Sequence, residues 1–216
     1  MSTDQQPNFD DLVSQAQIAH RLIAGFYQRL LPTIQQVTQQ FELTFYEWTP
    51  TVTSRPCKKS MNPADSWAWD MLPMMATIHR FLRSEGPDSA VGDVALDLFI
   101  TFDSNYSNRD KWSRLQIAKN QQPDATNMPV GEALVELYVG RCEKHSKTPL
   151  KELWMNAKDL NEEEQWIGRW QNIGTHFNAV YLKMQLAEFI ANPPAVVEQV
   201  RSLLSRPGPA LEQASA

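Results

Sequence analysis

The stretch Asp93–Asp110, DVALDLFITFDSNYSNRD, decides how the rest of this chain is read. Val94, Leu96, Leu98, Ile100 and Phe102 alternate with Ala95, Asp97, Phe99, Thr101 and Asp103. A period of two over such a run is a strand, because successive side chains on an extended backbone point to opposite faces. The first set is expected to face a core. The second carries Asp97 and Asp103 and reads as the solvated side. The polar cluster SNYSNRD closes the strand as a turn, and Lys111–Lys119, KWSRLQIAK, follows as a weaker return strand.

Upstream, a long helix is expected from Asn8, a good N-cap, with Asp10 and Asp11 in the first turn, where the helix dipole favours acids. Its apolar positions are Leu12, Ala16, Ala19, Ile23, Phe26, Leu30, Ile34, Val37 and Phe41, three or four apart. That is the seam of a helix packed along another helix or across a sheet. Val13, Leu22 and Leu31 widen it, which favours a helix buried within its own domain. The sharper alternative is a helix shared with a second copy of the chain. Pro32 predicts a kink or a break near Leu30 to Pro32, because proline removes a backbone donor. Phe41–Thr49, FELTFYEWT, reads as a strand. The loop Ser54–Ser66 follows and carries Arg55, Lys58 and Lys59. Trp67–Leu82 is apolar on both faces, and Met74–Leu82 is read as a strand.

Downstream, Val130, Ala133, Leu134, Leu137, Tyr138 and Arg141 fit a helical spacing, with Gly131 and Gly140 counting against it. Pro149 opens a short helix, PLKELW. Asn161 before three glutamates predicts another helix, with Trp166, Ile167, Trp170 and Ile173 as its stripe and Gly174 as its stop. Val180, Leu182, Met184 and Leu186 alternate as a late strand. Asn192 caps a last helix through Val196, Val197, Val200, Leu203 and Leu204. Together these predict an α+β fold: an antiparallel or mixed sheet of about four to five strands against a long, kinked N-terminal helix and C-terminal helices. Residues 1–7 are expected to be a disordered N-terminus, 8–205 a single domain, and 206–216 a disordered tail.

Composition narrows the function classes. The chain has 216 residues and a net charge of −5, so it lacks the basic footprint of a dedicated nucleic-acid binder. No apolar run reaches the roughly 18 residues of a membrane span, and the polar, acidic start is not expected to be a signal peptide. Cys57 and Cys142 stand alone and are expected to be reduced thiols in a cytosol. No phosphate-binding glycine loop and no nucleophile elbow occurs, and no cofactor is expected. His20, His79, His145 and His176 include no pair at zinc-ligand spacing.

Carboxylates are the one opening for chemistry. Asp97 and Asp103 lie six residues apart, about 20 Å along a strand, too far to share an ion. A metal-dependent nuclease or phosphodiesterase would need Glu47 and Asp70 as further ligands, with Lys58 or Lys59 near the phosphate and His79 or His176 as a base. The seven tryptophans are numerous for this length, and tryptophan is enriched where proteins bind one another. Trp67 and Trp69 share a side if extended and lie beside the basic loop. The reading reached is a non-catalytic cytosolic protein that binds another protein (an inhibitor, an immunity-type protein or an assembly accessory) or pairs as a homodimer. Trp67, Trp69, Arg55, Lys58 and Lys59 are its candidate contact residues, and no metal site is expected. The nuclease is the first alternative. A nucleic-acid binder using the 54–60 loop is the second.

Overall fold

The computed structural model describes residues 9–50, 76–105, 129–157 and 164–210. Among them the sheet has six strands in the order β1-β2-β3-β4-β6-β5, and every neighbouring pair is antiparallel. The strands are β1 (Thr44–Pro50), β2 (Ala76–Arg83), β3 (Val94–Thr101), β4 (Leu134–Cys142), β5 (Trp170–Asn172) and β6 (Phe177–Gln185). The helices are α1 (Phe9–Gln39), α2 (Leu150–Met155), α3 (Leu186–Ala191) and α4 (Pro193–Leu204). The α+β class stands as expected, and the strand count is six rather than four to five.

The strand that opened the sequence reading sits at the centre. Val94, Leu96, Leu98 and Ile100 are buried on the face covered by α1, α3 and α4. They meet Leu30, Ile34 and Val37 of α1 and Val196, Val197, Val200 and Leu203 of α4. Burial of side chains this size stabilises by about 1.5–3 kcal/mol each, so this layer is the main source of the fold. Phe102 lies beyond the strand end and is 40% exposed, against its expected core position. It meets Phe26 edge to face, with ring centroids 5.2 Å apart.

Two segments differ from the sequence expectation, each for a physical reason, and of the kink or break expected at Pro32 the break does not occur. Residues 134–142 form β4 and not a helix. Both faces of this central strand are covered, so its apolar residues fall on either side and mimic a helical spacing. Residues 164–174 give a 3-10 turn (Glu164–Trp166) and β5 instead of one helix. Gly168 and Gly174 adopt φ of 72° and 135°, left-handed backbone that interrupts a helix and suits turns. Helix α1 runs unbroken through Pro32. Pro32 lies on the exposed side, where water can serve the carbonyl it leaves without a donor, and the neighbouring Thr33 hydroxyl donates to the Arg29 carbonyl at 2.9 Å.

The last helix follows its sequence signal. The Asn192 side chain accepts from the Ala195 amide, with Pro193 at the first helical position. Its far end is tied to the sheet. Arg141 donates to the carbonyls of Leu204 and Arg206 at 2.9 Å, and Asn178 donates to that of Pro209 at 2.8 Å.

Candidate functional site

The face of the sheet opposite α1 carries a polar row. Strand register aligns Glu47, Arg80, Asp97, Tyr138 and Tyr181 across five strands. Arg80 sits between two carboxylates. Its Nε donates to Asp97 at 3.0 Å, and its Nη1 pairs with Glu47. On the other side of Asp97, the Trp154 indole N–H of α2 donates to Oδ1 at 3.0 Å. Tyr138 stacks between Phe99 and Tyr181, with ring centroids 4.9 and 5.1 Å away, and the Tyr181 hydroxyl donates to Glu136.

Asp97 was expected in water and is buried instead, at 8% exposure. Helix α2 covers this end of the face, through a cluster of Leu150, Phe177, Ala179, Cys142 and Ile173. Burial pushes the Asp97 carboxyl above its ordinary range, while Trp154 and Arg80 pull the other way. Sequence reasoning missed Arg80 and Trp154. Trp154 lies 57 residues from Asp97, and no local pattern links them.

Gly140 is what lets Trp154 lie flat on the sheet. A Cβ built there would stand 2.1 Å from the indole Cζ3. Gly140→Ala is therefore expected to displace the ring, weaken its bond to Asp97, and destabilise by about 2 kcal/mol. The check is a denaturant titration read by indole fluorescence; an unchanged midpoint would contradict the packing.

The remaining candidates separate. Asp103 accepts from the amides of Asn105 at 2.9 Å and Gly131 at 3.0 Å, closing the loop after β3. His176 lies in the β5–β6 turn, where its Nδ1 is 2.8 Å from the Thr175 hydroxyl. His79 points to the α1 side and lines a cavity of about 590 Å³ with Leu31, Ile34, Phe45, Trp48 and Phe81 among others. Burial holds its imidazole down at about 4, so the ring is neutral at pH 7. Asp70, Trp67, Trp69, Arg55, Lys58 and Lys59 lie outside the described residues. Glu47 and Asp97 thus do converge, but on a guanidinium. Among the described residues, no three His, Cys, Asp or Glu side chains gather in a way that could hold a metal ion.

A third feature concerns α1. From Leu30 to Val37 its seam is buried in the domain. From Val13 to Ala24 every residue is exposed, although the same apolar spacing continues. Val13, Ile18, Leu22 and Ile23 are 57%, 54%, 68% and 43% exposed. Among the described residues, the helix therefore leaves the body of the domain near Gly25 with its seam uncovered.

These features define an α+β protein built on one antiparallel sheet, with a partly buried polar row on one face and a projecting helix on the other. The chain belongs to the PM0109 family, whose model matches residues 6–207. No match was found among curated proteins or solved structures. No described helix is long and apolar enough to cross a membrane.

Proposed function

We propose that this is a non-catalytic, cytosolic protein that binds another polypeptide through the projecting half of α1. The observation that carries the reading is the exposed, apolar-seamed run from Val13 to Ala24. Twelve helical residues that no described residue buries are held by little beyond their own hydrogen bonds, because most helical stability in a protein comes from packing of an apolar face. Gly25 adds a cost of about 1 kcal/mol at the joint. A helix kept in such a place is stabilised when a partner covers its seam. The polar row supports the non-catalytic part of the reading. Arg80 engages Glu47 and Asp97 together, so neither is poised as a lone acid or base.

The test is a pair of variants, Ile23→Lys and Leu22→Lys. Both positions are exposed, so each is expected to change stability by under about 0.5 kcal/mol. Ile23→Lys places a charge on the seam and should abolish binding, whether read as self-association or as capture of a polypeptide from a lysate. Leu22→Lys, at the seam's flank, should weaken it less. Failure of the wild-type chain to bind any polypeptide, itself included, would refute the proposal.

A further inference from the structure

We infer that the partner of the projecting half of α1 is a second copy of this chain, packed antiparallel along the same seam; this rests on the protein-binding reading above. The seam positions of the outer half are Phe9, Leu12, Ala16, Ala19, Ile23 and Phe26. A twofold axis that reverses a helix pairs each position with its mirror about one point. About a point between positions 17 and 18, Phe9 falls opposite Phe26, Leu12 opposite Ile23, and Ala16 opposite Ala19. The sequence is thus symmetric in kind about that point, aromatic with aromatic, branched aliphatic with branched aliphatic, and small with small. A contact between two copies requires that self-complementarity, whereas an unrelated partner places no such demand on the sequence.

The alanines at the centre let the two axes approach towards the lower end of the usual packing range of about 8–10 Å. No charged residue falls on the six seam positions, so the pairing opposes no like charges across the seam. Leu22, exposed, borders the seam and enlarges the apolar area.

Area supports a second copy as well. The span from Phe9 to Phe26 is about 27 Å long at 1.5 Å per residue. Two helices paired over that length remove on the order of 1,000 Å² from water, the lower bound for a specific interface. The antiparallel register adds to this. Each helix start reaches the other copy's Phe26, which already packs edge-on against a 40% exposed Phe102. The interface is thus continuous with the surface where α1 enters its own domain.

Light scattering across a concentration series tests the inference on the full chain. The wild type should approach twice the 24.7 kDa of one chain as concentration rises. Ala16→Glu alone and Ala19→Arg alone should each stay at one chain's mass. The double variant A16E/A19R should pair again, because the antiparallel register sets the new acid opposite the new base on both sides of the axis. A parallel pair would set acid on acid and base on base, so a double variant that stays single overturns the inference. All these positions are exposed, and thermal melts of the variants should match one another when dilute. If the wild type stays single while an Ile23-dependent polypeptide is captured from a lysate, the inference fails and the protein-binding reading survives. If neither is seen, both fail.

Discussion

Replacing Arg80 by methionine is expected to destabilise the protein by about 3–5 kcal/mol, the usual consequence of leaving one partner of a buried ion pair alone. The stranded group is Asp97, whose side chain is only 11% exposed and whose second oxygen is already engaged by Trp154. Glu47, at 39% exposure, can turn to water and loses little. Two companion results follow from the same geometry. Adding Asp97→Asn to Arg80→Met should recover part of the loss, since the uncompensated charge is gone while Trp154 keeps an acceptor. The loss should also shrink at acidic pH, where the isolated carboxyl takes up a proton and tolerates burial. Urea titrations of the four chains measure this as a double-mutant cycle. A loss below about 1 kcal/mol for Arg80→Met would show that water reaches Asp97 freely.

The second large effect is a pH dependence centred on His79. Its folded-state value is about 4 against an ordinary value of 6.5. Between those values the unfolded chain binds a proton that the folded chain does not. Stability therefore rises with pH through this window and is lost as pH falls from 6.5 towards 4. At about 1.36 kcal/mol per unit the stability lost across the window is roughly 3 kcal/mol. Among the described residues, no charged side chain lines the cavity beside it; its neighbours there include Gln35, Thr38, Gln39 and Trp48, and its Nε2 lies 3.3 Å from the Thr77 hydroxyl. Asp97 acts in the opposite sense, because its raised carboxyl favours the folded state in acid. The clean measurement is thus the difference between wild type and His79→Gln. The two stability curves should run parallel above pH 7, and the wild type should lose stability relative to His79→Gln as pH falls from 6.5 towards 4; a His79 ring titrating near 6.5 by NMR would contradict the account.

What the sequence revealed depended on how locally each feature is encoded. The core set of β3 was legible because alternation is a property of neighbours, and Asn192 with Pro193 announced α4 for the same reason. Segment 134–142 was not, because a strand covered on both faces loses its alternation, and Leu134, Leu137 and Tyr138 then fall at helical spacing. The fate of Asp97 was hidden differently. Its burial follows from α2 folding over Gly140, a tertiary event with no trace near residue 97. Helix α1 shows the limit most plainly. Its seam runs without change through Ile23 and Leu30, yet one lies in solvent and the other in the core. Spacing tells which face of a helix is apolar, and only the fold tells what covers it.

Amide hydrogen exchange along α1, followed as chain concentration is raised, bears most directly on the idea that its outer half is covered by another chain. Amides from Val13 to Ala24 should exchange quickly in dilute protein and approach the protection of Leu30–Val37 as copies associate. Fast exchange of the outer half at every concentration, beside a protected inner half, would contradict it.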